Sequence, residues 1–152
     1  MKTLNTTLLL IIKDNKILLA EKKRGFGMGL YNGIGGKVEK DEEIEHAMIR
    51  ETQEEIGVTP KNYTKKAVIN FDMFLKGEPT YEIMHVYVAS DYEGTVSESD
   101  EMKPRWFEFD EIPYDNMFAA DKIWMKKMFD GEEFSGDVKF DENFKLISYN
   151  FD

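Results

Sequence analysis

Residues 25–36 hold six of the chain's eleven glycines. Such density is expected to form a loop with unusual backbone angles, since glycine alone visits left-handed conformations freely. The chain leaves this loop directly into "EKDEEIEHAMIRETQEEIG" (39–57), which has the length, start and stop of a helix. Asp41 is predicted to cap it, Glu42 and Glu43 suit its first turn, and Gly57 closes it as a C′ glycine. Glu51, Glu54 and Glu55 then lie within about one turn of each other. Like charges at that spacing destabilise a helix by a few tenths of a kcal/mol per pair, so something must offset them.

At 100° per residue, and with Ile44 set at 0°, Met48 falls at about 40° and Ala47 at about 300°. Glu51 at about 340° and Glu55 at about 20° lie inside this apolar stripe, with Glu54 nearby at about 280°. A solvated helix would carry its acids on the opposite face. Three converging carboxylates form a hard-oxygen ligand set of the kind that takes Mg²⁺, with Mn²⁺ as an alternative. Zinc is a poor match, because the chain has two histidines and no cysteine. His46, near 200° on the helix, is expected at the surface. His85, within a β-rich segment, reads as a structural histidine.

Disulfides and cysteine nucleophiles are excluded by composition. A net charge of −10 argues against binding a nucleic-acid polymer. It leaves room for a small phosphorylated ligand, since metal ions and a few local lysines or arginines reverse the field inside a cleft. The longest apolar run, Leu8 to Ile12, is far short of a membrane span, and no small-residue cleavage site follows it. No membrane association and no signal peptide are expected, and the reading is a cytoplasmic protein.

With 152 residues and 41% hydrophobic content, one domain over 1–152 is expected. "TLLLIIK" and "KILLAEK" flank "DN" as a hairpin, and "KKAVINFDMFL" pairs with "YEIMHVYVAS" through "KGEPT". "RWFEF" alternates as a strand. "MFAADKIWMKKMFD" has helical spacing, with Phe118, Trp124, Met125 and Met128 as its apolar positions. "FSGDVKFD" and "FKLISYNF" form a last hairpin. The fold class is α/β (α+β) with a mixed sheet.

The glycines match neither of two familiar phosphate loops. G-x-G-x-x-G fails at every start, and G-x-x-x-x-G-K-[ST] fails because Val38 follows Gly36-Lys37. A different 23-residue pattern does fit: Gly36, five residues, Glu42, seven residues, Arg50-Glu51, then Glu54-Glu55 and Gly57-Val58. It resembles the Nudix box, G-x5-E-x7-R-E-U-x-E-E-x-G-U, where U is a bulky aliphatic residue. Thr52 at the first U position is the one departure. Outside the box, "KKRGFGMGLYNGIGGKV", "ESDEMKPRWFEFDEIP" and the C-terminal β segment resemble the MutT-like group of oxidised-purine nucleoside triphosphatases (8-oxo-dGTP diphosphatases).

The resemblance implies a mixed sheet sandwiched between helices and a Mg²⁺-dependent attack of water on a nucleotide phosphorus. A nucleoside triphosphate would give the monophosphate and pyrophosphate, which cleanses the nucleotide pool and protects DNA. It marks Gly36, Glu51, Glu54, Glu55 and Glu101 as metal-site positions, with Arg50 orienting the carboxylates. Which glutamate accepts the proton stays open. Lys22 and Lys37 are candidate phosphate contacts. Thr7, Phe26, Asn32, Phe71, Met73, Phe118 and Asp121 match the base pocket, a flat apolar slot with a few polar readers. Relatives in the group carry two adjacent aspartates where this chain has Ala120-Asp121, and a tryptophan in place of Phe118. This chain also has a two-residue insertion near "MFLKGE". The expected partner is a nucleotide, and the expected state is a monomer. The rival readings are a Nudix hydrolase for another nucleotide and, from a different class, a non-catalytic nucleotide-binding Nudix module. The latter is expected to lack box carboxylates, and this chain has them all.

Overall fold

A computed structural model of the chain describes residues 1–131 and 133–152. Its described residues form nine strands: β1 (Lys2–Lys13), β2 (Lys16–Lys22), β3 (Tyr31–Asn32), β4 (Ile34–Lys37), β5 (Val58–Leu75), β6 (Glu78–Gly94), β7 (Met102–Glu108), β8 (Phe134–Phe140) and β9 (Leu146–Phe151). Helix α1 (Ile44–Ile56) lies between β4 and β5, and α2 (Asp121–Phe129) lies between β7 and β8.

Strand β1 organises the sheet. It runs parallel to β6 over Lys2–Ile11, and its other edge is shared antiparallel by β4 and β2. The β1–β2 turn consists of Asp14 and Asn15, both left-handed (φ 53° and 61°), as a two-residue hairpin of the favoured twist requires. The sheet continues from β6 to β5, β8 and β9, and β8 runs parallel to β5. β7 covers the whole length of β2.

The apolar run of β1 feeds both faces of this sheet. Leu8 and Leu10 pack with Trp124, Met125 and Met128 of α2, while Leu9 and Ile11 pack with Met48 and Ile56 of α1. A strand buried on both sides reads as continuous rather than alternating hydrophobic sequence. The sheet therefore sits between two helices, as expected.

Three local expectations need correction. Asp41 does not cap α1: it sits in the left-handed region (φ 63°), and Glu43 takes the N-cap position without a side-chain bond. The chain folds instead around Glu42, whose Oε1 accepts the Glu39 N–H at 3.0 Å. The glycine segment is not one loop. Gly25, Gly27 and Gly29 are left-handed, but Gly35 and Gly36 lie within β4, where close approach rather than φ demands glycine. Finally, the helix expected over 117–130 begins only at Asp121, so Phe118 precedes it in irregular backbone.

Candidate active site

The carboxylate half is built where α1 crosses β4. A Cβ on Gly36 would fall 2.5 Å from Glu51 Cδ, and one on Gly35 would fall 1.8 Å from the Thr7 carbonyl oxygen. Only two glycines in succession let the strand run against both the helix carboxylates and β1. Gly35 N–H donates to Glu55 Oε1 at 3.1 Å.

Arg50 holds this end together, with its side chain 19% exposed. Its Nε and Nη2 donate to the two oxygens of Glu42 at 2.7 and 3.0 Å, a bidentate pair. Nη1 donates to Glu51 at 3.1 Å and Glu54 at 3.2 Å, and Nη2 also donates to the Lys37 carbonyl at 3.1 Å. Arg50 holds the Glu42 carboxyl down at about 2, helped by the Glu39 N–H. The fixed Glu42 of the sequence pattern thus anchors the arginine that orients the other acids.

Glu55 is 4% exposed, and burial, with Glu51's charge adding to it, pushes its carboxyl up to about 8 despite Lys22 and Gly35 N–H. Burial also raises Glu51, against the pull of Arg50. Glu54, by contrast, is 58% exposed on its side chain. The three acids thus differ in exposure, with Glu55 buried, Glu51 half-buried and Glu54 exposed. Among the described residues, no three histidine, aspartate or glutamate side chains close on one point as a bound ion would need. Arg50 bonds Glu51 and Glu54, and Gly35 N–H bonds Glu55. The donor chemistry still fits a hard divalent cation, since these are oxygen ligands whose negative charge the protein only partly balances. Glu101, after "ESD", lies close enough for its charge to raise both Glu51 and Glu55. It pairs with Arg24 at 3.1 Å and with Lys22 at 3.6 Å. Lys22 and Glu101 thus sit beside the carboxylates, while Lys37 meets Arg50 through its carbonyl. His46 is exposed and bonds Glu42 at 2.8 Å. His85, within β6, bonds Asn5 at 3.1 Å through Nε2.

Thr52 is fully buried in α1, where its hydroxyl donates to the Met48 carbonyl at 2.8 Å. The polar departure from the box is thus satisfied inside the helix itself.

The second half joins the first through β1, where Thr7 lies opposite Gly36. The Thr7 hydroxyl is buried without a partner, an uncommon state for a native polar group. Asn32, on β3, uses its carbonyl oxygen to accept Gly33 N–H at 2.8 Å, which leaves its amide NH₂ to donate elsewhere. Phe71 and Met73 are buried on the α2 side of the sheet. Asp121 is buried at the start of α2, where it accepts from Trp124 Nε1 at 2.9 Å and from Phe118 N–H at 3.2 Å. Burial pushes its carboxyl up to about 7, against both of those bonds. Phe118 stacks on Phe26 with centroids 5.6 Å apart.

Sequence reasoning missed three neighbours. Glu82 lies opposite Phe71 in the β5–β6 pair, is raised by burial, and accepts the Thr6 hydroxyl at 2.7 Å. Phe140 stacks on Phe71 at 6.2 Å, and Phe144 packs against both Phe118 and Phe26. Alternation within β8 would have flagged Phe140. No local signal marks a turn phenylalanine such as Phe144.

The fold, the glycine strand and the Arg50-ordered acids match one known pattern, and the model of the NUDIX domain matches residues 1–130. The chain belongs to the NUDIX family. It is a Nudix hydrolase, from a family whose members generally use divalent metal ions and act on small-molecule substrates. It is 40% identical over 146 residues to the oxidized purine nucleoside triphosphate hydrolase of Danio rerio, covering 96% of this chain and 92% of that one. It is 37% identical over 144 residues to the enzyme of the same name from Mus musculus, covering 95% and 91%. Among solved structures it resembles the MutT protein of Bacillus halodurans, with a TM-score of 0.84, 29% identity, and coverage of 98% of this chain and 97% of that one. Among the described residues, no helix is long and apolar enough to cross a membrane.

Proposed function

We propose that residues 1–152 act as one Nudix domain that hydrolyses oxidised purine nucleoside triphosphates such as 8-oxo-dGTP to the monophosphate and pyrophosphate. The observation that carries the chemistry is the pair of carboxylates packed on Gly35-Gly36, Glu55 buried and Glu51 half-buried, both raised by burial. Two relatives, aligned over more than nine-tenths of this chain, are named for oxidised purine triphosphates, and they support the substrate class.

Glu51, Glu54, Glu55, Glu101 and the Gly36 carbonyl would hold Mg²⁺, or Mn²⁺ in its place. That ion would supply charge neutralisation and alignment for an in-line displacement at phosphorus. The protein's own part is positioning. Arg50, anchored by Glu42, orients Glu51 and Glu54. Lys22 offers positive charge beside Glu101 for the polyphosphate, and Lys37 is a second candidate contact. Water attacks the phosphorus, its proton passes to a carboxylate of this set, and the phosphoanhydride bond breaks to release pyrophosphate. Phe118 stacks on the base, with Phe26, Phe71 and Met73 as apolar walls. Thr7, Asn32 and Asp121 read its edge, and Asp121 near neutrality can donate or accept. The substrate is a small nucleotide rather than a polymer. The protein works as a cytoplasmic monomer, and its role is nucleotide-pool sanitation.

Product analysis tests this reading. Incubation of 8-oxo-dGTP with Mg²⁺ should yield monophosphate and pyrophosphate in equal amounts, and a chelator should stop it. Release of diphosphate and orthophosphate would reject the reaction.

A further inference from the structure

The rings at the aromatic end form a closed triangle. Phe26 lies nearly parallel to Phe118 (15°, 5.6 Å between centroids). Phe144 stands edge-on to both, at 5.2 Å and 79° from Phe26 and at 5.5 Å and 65° from Phe118. A base between two parallel rings needs two contact layers of about 3.5 Å, roughly 7 Å in all. The triangle as it stands is too tight, so one ring must move for a base to enter.

The three rings are held very differently. Phe26 is 56% exposed and flanked by Gly25 (φ 76°) and Gly27 (φ 82°). Its loop lies directly on Phe118, since a Cβ on Gly27 would fall 3.0 Å from Phe118 Cζ. Phe144, by contrast, is anchored. Its ring stacks on Phe140 at 4.3 Å and 10°, and Phe140 stacks in turn on Phe71. Its backbone is left-handed (φ 61°), a conformation uncommon for a bulky residue and held only when its surroundings impose it. Here the imposing group is Asp141. Its carboxylate accepts the N–H groups of Asn143 (2.8 Å) and Lys145 (2.9 Å), and its carbonyl accepts that of Phe144 (3.0 Å). The β8–β9 turn is thus built to present one ring toward Phe118.

We propose that Phe144 is a specificity-determining residue, the fixed edge wall of the base slot, against which Phe26 closes until a purine displaces it. The inference rests on Phe118 being the stacking floor, as argued under the proposed function. A base on Phe118 in the place Phe26 now occupies meets Phe144 edge to face, the arrangement aromatic pairs favour. The wall lies at the side of the slot, so its contact grows with base size and favours a two-ring base over a one-ring base.

Steady-state kinetics on 8-oxo-dGTP, dGTP and dCTP with Mg²⁺ test this in the whole chain. Phe144→Ala should raise KM for both purine substrates about tenfold, in line with the loss of one base–aromatic contact. It should leave kcat within about twofold and change KM for dCTP by less than about threefold. Phe144→Tyr should restore the purine KM. Phe144→Leu, which keeps an apolar group on Phe140 and so guards against a folding defect, should not. Purine KM unchanged in folded Phe144→Ala or Phe144→Leu would overturn the proposal, as would an equal rise for purines and dCTP or a fall confined to kcat. A wild-type protein with no purine preference would overturn both this inference and the substrate reading. That outcome is distinguishable because it appears before any substitution is made.

Discussion

The two ends of the candidate site are held by opposite physics. At the carboxylate end, residues within one 23-residue stretch are tied by charge: Arg50 to Glu42, Glu51 and Glu54, and Glu55 to the backbone of β4. At the aromatic end, Phe26, Phe118 and Phe144 come from three distant parts of the chain and meet one another through ring packing. On the proposed reading, the reaction site is mostly local in sequence, with Glu101 and Lys22 added from elsewhere, and the base slot is assembled non-locally. Substitutions at the first end should therefore affect all nucleotides alike, whereas those at the second should separate them.

The sharpest break is Glu54→Gln. It should lower kcat/KM by about 10²- to 10⁴-fold for every nucleotide, on the scale of losing a catalytic carboxylate. Because Glu54 is largely exposed, the melting temperature should move by less than about 2 °C, since surface substitutions stay within about 0.5 kcal/mol. Parallel kinetics and thermal unfolding check both halves. Near-normal turnover would reject its place among the metal-site acids.

Gly36→Ala ranks next. Its Cβ meets Glu51 Cδ at 2.5 Å, so either the strand or the carboxylate must shift. Turnover should fall at least about tenfold for all nucleotides, with a stability loss of about 1–3 kcal/mol, the usual cost of overpacking. Denaturant unfolding alongside kinetics measures the two effects separately.

At the other end, Asp121→Asn should change the ratio of kcat/KM between oxidised and normal purines by about tenfold and leave the shared phosphate chemistry intact. An equal loss for all nucleotides would place Asp121 with the fold rather than with recognition. The same variant carries a pH signature. In the folded protein burial pushes the Asp121 carboxyl up to about 7 from its ordinary value of 3.8. Below that lower value both folded and unfolded forms hold the proton, and the contribution to stability is fully present. As pH rises the unfolded chain ionises first, so the contribution declines up to about pH 7, by about 1.4 kcal/mol per pH unit at most. Asp121→Asn should flatten this part of the melting temperature–pH curve.

The smallest effect belongs to Thr52→Val. It removes a hydroxyl whose one bond is to its own helix, and stability should change by less than about 1.5 kcal/mol in either direction. Activity should hold, which calorimetry and a single kinetic assay verify.

Much of the carboxylate end was legible because helical geometry converts spacing into direction. The angle count turned Glu51 and Glu55 inward, and Glu55 is indeed buried. It could not reveal that Arg50 diverts Glu54 toward itself, because that depends on where Glu42 fixes the guanidinium. Asp41 misled for a related reason: the loop satisfies Glu42 rather than the helix N-terminus. The hairpins were readable around "DN" and "KGEPT", but the second turn shrinks to Lys76-Gly77 because β6 already starts at Glu78; left-handed backbones suit both two-residue turns. The aromatic triangle was only partly readable. Phe26 and Phe118 followed from resemblance, but Phe144 owes its position to an Asp141-built turn and a stack on Phe140, neither of which leaves a periodic trace.

The central claim is that this Nudix site selects oxidised purine triphosphates. The most direct test is kcat/KM for 8-oxo-dGTP against dGTP under identical Mg²⁺ concentrations. The oxidised substrate should be favoured by at least about tenfold, a ratio that measures differential transition-state binding. Equal values, or a preference for dGTP, would contradict it.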